Sequence, residues 1–151
     1  MPKPFKLEAD LRAAMREAYD DEVRWLEPKG GATFGLPDCW LPLIDKKELL
    51  WVELKLGEIN GDWLTIKFTP AQKREFPKLM RDYQKLIILV GEKGGERLWL
   101  LEFWPELLSE KAFAGPRNAA YLPYATEIPD VTCIMGHERN ITWDRLGEGR
   151  L

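Results

Sequence analysis

The sequence predicts an α/β domain, a mixed β-sheet flanked by helices, on three observations. An amphipathic stripe of helical period opens the chain, segments of two-residue period follow, and a strongly capped helix separates these from two further apolar strands. A length of 151 residues suits one domain with one core. That domain is expected over residues 1–151, with its core at about 7–113 and a loop-rich C-terminal extension over 114–151.

The first helix is expected from about Leu7 to Tyr19, because Leu7, Leu11, Ala14, Met15 and Ala18 recur on one face. Pro28, Gly30, Gly31 and Gly35 then punctuate a loop. Strands are predicted at Asp38–Ile44 and Leu49–Leu56, turning through Asp45, Lys46 and Lys47. In the second of these, Leu50, Val52 and Leu54 alternate with Trp51, Glu53 and Lys55, the period of a strand. Trp63–Phe68 fits either a short extended piece or a loop.

Thr69-Pro70-Ala71-Gln72 predicts a helix start: Thr69 as N-cap, Pro70 at the first helical position, Gln72 closing a capping box. Pro77 inside that helix predicts a kink or a break. Leu86–Val90 and Arg97–Phe103 read as buried strands, joined as a hairpin by Glu92-Lys93-Gly94-Gly95. Trp104–Phe113 has helical character. Beyond it, Pro116, Pro123 and Pro129 mark an extended or loop-rich tail packed on the core, ending in a loose LGEGRL.

Composition narrows the function classes. Hydrophobic content of 45% with 31% charged residues describes a soluble globular protein. No apolar run reaches the length of a membrane span, and MPKPFKLEAD lacks the apolar stretch of a secretory signal. Cys39 and Cys133 imply no disulfide framework and no zinc site; reduced thiols in a cytoplasmic protein are expected. His137 is the only histidine, which excludes a His-based zinc site. Trp40, Trp51 and Trp99 are expected in the core, and Trp63 either anchors a loop or stacks on an unpaired base.

The net charge of −3 is unlike that of most nucleic-acid-binding domains. Its distribution is uneven, however. Between Pro70 and Lys85 stand Lys73, Arg74, Lys78, Arg81 and Lys85, against only Glu75 and Asp82. This segment fits a phosphate-contacting face through Lys73, Arg74, Lys78 and Arg81, and equally a solvated helix surface.

The residues that carry chemistry are Asp38, Glu53, Lys55 and Gln72. Asp38 follows Pro37 at a strand start, while Glu53 and Lys55, two apart on the next strand, share one face. If those strands are neighbours, the two carboxylates converge. Such oxygens suit a hard cation like Mg²⁺, and a lysine beside it can orient water or stabilise charge on a phosphate. The helix N-terminus at Thr69, with Gln72 in its first turn, is an anion-attracting end. Each piece also has a plain structural reading. Glu53-Leu54-Lys55 fits an exposed salt-bridge face, Pro37-Asp38 a turn, and Gln72 the cap alone.

Taken together, GLPDC (Gly35–Cys39), WVELK (Trp51–Lys55) and FTPAQ (Phe68–Gln72) resemble the PD-(D/E)XK nuclease superfamily. More narrowly they are similar to its VRR-NUC and phage Holliday-junction-resolvase-like groups. The resemblance covers about residues 7 to 91; the tail from about Arg97 matches no family. It implies a restriction-endonuclease-like core and a metal-dependent DNA endonuclease, with junction or branched DNA one candidate substrate beside flap, nick, duplex and single strand. Asp38 and Glu53 would hold Mg²⁺ or Mn²⁺, with the Leu54 carbonyl completing the shell. Lys55 would be the catalytic lysine, and Gln72 would bind phosphate or order the site. A first-helix glutamate is also implied: Glu8 first, Glu17 as fallback, Glu22 less so. DNA is the expected partner, a symmetric homodimer would suit junction cleavage, and the setting would be the cytoplasm of a microbial or phage-infected cell. Two other readings stand beside it. One is a catalytically inactive nucleic-acid-binding or protein-interaction module of the same fold; the other is an acidic phage accessory protein with accidental matches. Completeness of the site favours the enzyme.

Overall fold

The structure, a computed structural model, describes residues 4–26, 36–43, 48–81, 85–102, 119–121 and 125–138. Helix α1 (Glu8–Tyr19) leads through a 3-10 turn (Asp20–Glu22) into strand β1 (Arg24–Trp25). Then follow β2 (Cys39–Leu43), β3 (Glu48–Asn60), β4 (Trp63–Thr65), helix α2 (Pro70–Arg81), β5 (Lys85–Glu92) and β6 (Leu98–Glu102). Beyond these lie β7 (Ala119–Tyr121), β8 (Thr126–Ile128), a second 3-10 turn (Val131–Cys133) and α3 (Ile134–Glu138).

The strands form one mixed sheet in the order β1-β2-β3-β5-β6-β8, with β4 branching from β3 and β7 pairing with β4. β3 and β5 are parallel, and α2 is part of the crossover that parallel neighbours require. The pairs β2–β3 and β5–β6 are antiparallel. Helices cover both faces of this central pair, so β5 is a continuous apolar run. Leu50, Val52, Leu54, Ile87 and Leu89 pack with Leu11 and Met15 of α1 on one face, joined by Ile128, Val131 and Ile134. On the other face Leu86, Ile88, Val90, Trp99 and Leu101 pack with Phe76 of α2 and with Leu64, Ile66 and Phe68.

Helix α1 starts where the Asp10 carboxylate accepts the backbone N–H groups of Lys6 (2.8 Å) and Leu7 (2.9 Å). Its buried stripe is Leu11, Met15 and Tyr19. Leu7 does not join that stripe; it is 65% exposed. It is the extended N-cap (φ −133°, ψ 157°), so the helical spacing that placed it on the stripe does not yet apply. At the other end the Tyr19 hydroxyl donates to the Val131 carbonyl at 2.6 Å, tying α1 to the C-terminal segment. Burial raises the Tyr19 hydroxyl pKa to about 12.

Helix α2 shows the reciprocal cap: Gln72 N–H donates to Thr69 Oγ1 (3.1 Å), and Thr69 N–H donates to Gln72 Oε1 (3.0 Å). The break expected at Pro77 does not occur, and the helix runs unbroken to Arg81. One lost backbone bond weighs less than unseating Phe76, which is fully buried and packed edge-on against Phe68 at 6.1 Å. Trp63–Thr65 is a strand, hairpinned to β3 through Gly61 at φ 61°. The turn before β6 likewise places Gly94 at φ 76°. The helix expected at Trp104–Phe113 and the final LGEGRL lie outside the described residues. Among the described residues no helix is long and apolar enough to cross a membrane.

Candidate metal centre

β3 outruns its neighbour β2. Their register stops at Cys39 opposite Val52, so Asp38 and Glu53 are the first residues beyond the paired segment. Pairing with β4 begins only at Glu58; among the described strands, residues 53–57 pair with β5 alone. The open edge is closed locally by a side chain: Leu54 N–H donates to Asp38 Oδ2 at 2.8 Å. A strand residue projects its N–H and C=O toward the same edge, so the Leu54 carbonyl opens toward Asp38 too.

Glu53 and Lys55 project toward the face that carries α2, and both are buried, at 3% and 7% exposure. Gln72, buried in the first turn of α2, links them. Its Nε2 donates to Glu53 Oε1 (3.0 Å), and its Oε1 accepts from Lys55 Nζ (2.8 Å). Lys55 Nζ also lies 5.2 Å from the centroid of the Phe68 ring. The same amide oxygen closes the helix cap, so one residue serves the helix start and the site together.

The second oxygen of Glu53 has no hydrogen-bond partner among the described residues although it is buried. Burial first, then the charge and the close approach of Asp38, hold the Glu53 carboxyl well above its ordinary value of 4.5; Lys55 pulls the other way. Two ionised carboxylates have no hydrogen to share, so the gap between them is filled by a proton or by a cation. The chemistry of the donor set therefore fits a divalent cation: two crowded carboxylates, one with a free buried oxygen, and a backbone carbonyl at the same edge. No group of three or more His, Cys, Asp or Glu side chains among the described residues is arranged to hold a metal ion. A two-carboxylate set is what Mg²⁺ commonly uses, since it keeps several waters.

Glu8 stands at the start of α1, near enough to Asp38 and Lys55 for their charges to act on it. Its carboxyl is raised by partial burial and then by the charge of Asp38, and lowered by Lys55 and Arg12. Glu17 lies nine positions further on, about 13 Å along the helix axis. Glu22 lies in the 3-10 turn beyond α1.

Lys73 and Arg74 are exposed on α2, next to Gln72. Lys78 is exposed and pairs with Glu75 at 3.2 Å. The side chains of Arg81 and His137 lie outside what is described. Cys39 is fully buried, its thiol pushed up by that burial and by the charge of Asp38.

Sequence reasoning missed Arg12 and Trp25. Arg12 Nη2 donates to Asp38 Oδ1 at 2.9 Å, and its guanidinium lies 5.0 Å from the centroid of the Trp25 ring. The signal for Arg12 was present: it is four residues after Glu8, on the same helix face. Nothing in the two-residue strand β1 announced Trp25. The chain matches no family model, no curated protein and no solved structure.

Proposed function

We propose that the chain is a divalent-cation-dependent deoxyribonuclease with a restriction-endonuclease-like core, hydrolysing phosphodiester bonds in junction or branched DNA. The observation that carries this reading is the convergence of Asp38 and Glu53, with a buried Glu53 oxygen that has no hydrogen-bond partner among the described residues, beside Lys55 held by Gln72. Asp38, Glu53 and the Leu54 carbonyl would hold Mg²⁺ or Mn²⁺. Such a cation polarises the phosphodiester and lowers the pKa of bound water.

The chain's own residues supply the rest. Gln72 fixes Lys55 Nζ with one hydrogen bond, leaving further N–H donors to orient the attacking water or meet a phosphate oxygen. Lys73 and Arg74, exposed beside Gln72, would meet the DNA backbone next to the cut. Cutting both strands of a junction calls for two equivalent sites, hence a symmetric homodimer, in the cytoplasm of a microbial or phage-infected cell.

One observation favours a second reading. Glu53, Lys55 and Gln72 form a closed, buried network, as a catalytically inactive binding module of the same fold would also have. A labelled panel of duplex, single strand, flap and four-way junction separates the two, tested with Mg²⁺, Mn²⁺ or EDTA. Metal-dependent cutting by the wild type, lost in Lys55→Ala and Asp38→Asn, is the expected result. A wild type that cuts none of these substrates sinks the nuclease reading and leaves the binding module.

A further inference from the structure

Among the described residues Arg12 is the one cationic side chain bonded to the Asp38 carboxylate, at 2.9 Å. The pair sits at the rim: the Arg12 side chain is 33% exposed and that of Asp38 13%. A guanidinium has five N–H donors in a flat fork, and one of its nitrogens, Nη2, is spent on Asp38. The Arg12 guanidinium lies over the Trp25 ring, and so does that of Arg16, each 5.0 Å from the ring centroid. Trp25 is itself fixed beside Asp38. It pairs with Cys39 in the β1–β2 register, and Leu26 N–H donates to the Asp38 carbonyl at 3.1 Å.

This arrangement places a monovalent cation on a carboxylate that the proposed function gives to a divalent one. The two charges compete for the same oxygens, and at such separations their repulsion is large. A guanidinium released from Asp38 would still be held by the indole, at the mouth of the site and not free in solvent. Its fork matches the paired oxygens of a phosphodiester.

We propose that Arg12 is an exchange residue. It neutralises Asp38 while the site lacks a divalent cation, and on loading it passes to a non-bridging oxygen of the DNA backbone, kept within reach by Trp25. Arg16, on the same ring, adds a second positive charge to this phosphate-binding edge. The inference rests on the reading of Asp38 and Glu53 as cation ligands. It adds a substrate contact on α1, separate from Lys73 and Arg74 on α2.

The test compares wild type, Arg12→Ala and Arg12→Gln, the last keeping a hydrogen-bond donor for Asp38 without the charge. Mn²⁺ affinity is measured by calorimetry without DNA. Binding of a fluorescent four-way junction and duplex is then measured in Ca²⁺ over a range of salt. Exchange requires opposite signs in the two assays. Both variants should bind Mn²⁺ about three- to tenfold more tightly, because a competing charge is gone. Both should bind DNA about tenfold more weakly, with a salt slope shallower by about one. If wild type binds Mn²⁺ and the variants bind it equally or less well, the exchange fails and the cation site stands. Unchanged DNA affinity in the variants also overturns the exchange. A wild type that binds no Mn²⁺ removes both the exchange and the metal centre.

Discussion

Glu53→Gln should stabilise the cation-free protein while removing a ligand of the proposed cation site. The wild-type side chain is 3% exposed, one oxygen bonded to Gln72 and the other without a hydrogen-bond partner among the described residues. Glutamine keeps the shape: its carbonyl replaces Oε1, and its NH₂ fills the gap toward Asp38 with a donor. The sign follows from linkage. A carboxyl raised in the folded state binds its proton more tightly there than in the unfolded chain. The native state then carries no penalty below the ordinary value of 4.5, and loses stability as pH rises above it. That loss runs at about 1.4 kcal/mol per pH unit until the native carboxyl itself ionises. The variant has no such slope at this position. The two proteins should therefore be close near about pH 5 and differ by about 3 kcal/mol near about pH 7. For a chain of this size that corresponds to about 6–12 °C in Tm.

Circular dichroism melts in EDTA across that pH range measure the difference directly. Parallel melting of the two proteins at every pH would refute the reasoning, as would a variant less stable throughout, because Glu53 would then not be an uncompensated carboxyl. Adding Mn²⁺ supplies the second half. It should raise the wild-type Tm, more so at higher pH where displacing the Glu53 proton costs less, and leave the variant unmoved.

Gln72→Ala removes the acceptor of Lys55, the donor to Glu53 and half of the α2 cap. It should lower stability by about 2–4 kcal/mol in urea unfolding and slow single-turnover cleavage by about 100-fold. Gly57→Ala, two residues beyond Lys55 on the same face of β3, tests packing against apolar neighbours. Its Cβ would stand 2.7 Å from Val90 Cγ1 and 2.8 Å from Leu64 Cδ1. A loss of about 1–3 kcal/mol is expected, read from the urea midpoint.

The parts of this fold that were legible in the sequence are those governed by a single local rule. The α2 cap is one, since Thr69 and Gln72 satisfy each other's backbone whatever lies around them. The alternation in β3 is another, because it puts Glu53 and Lys55 on one face without reference to a partner strand. What stayed hidden depends on distant contacts. β1 is two residues long and has no periodicity to read; it exists because Arg24 and Trp25 pair with Trp40 and Cys39. Leu7 fitted the helical spacing, yet it precedes the first helical residue and faces solvent. Pro77 was read by its local cost, whereas burial of Phe76 on β5 sets the outcome. Arg12 was overlooked because its role needs Asp38, which is 26 residues away in sequence.

The location of the site follows from a mismatch in strand length. β2 has five residues and β3 thirteen, so part of β3 must satisfy its backbone without β2. At Leu54 the Asp38 carboxylate does so, using one of its oxygens for the fold. The other Asp38 oxygen, which accepts from Arg12, lies with Glu53 just beyond the paired segment of β2 and β3. The same residue thus closes a sheet edge and, on the proposed function, would hold the cation. Substitutions at Asp38 should separate these roles. Asn retains an oxygen for the Leu54 N–H and removes the charge, so it should remove cation binding at little cost in stability. Ala leaves that backbone group without its partner and should cost a further 1–3 kcal/mol or about that. Equal urea midpoints for Asp38→Asn and Asp38→Ala would show that the bond to Leu54 does not hold the edge, and that the carboxylate serves the site alone.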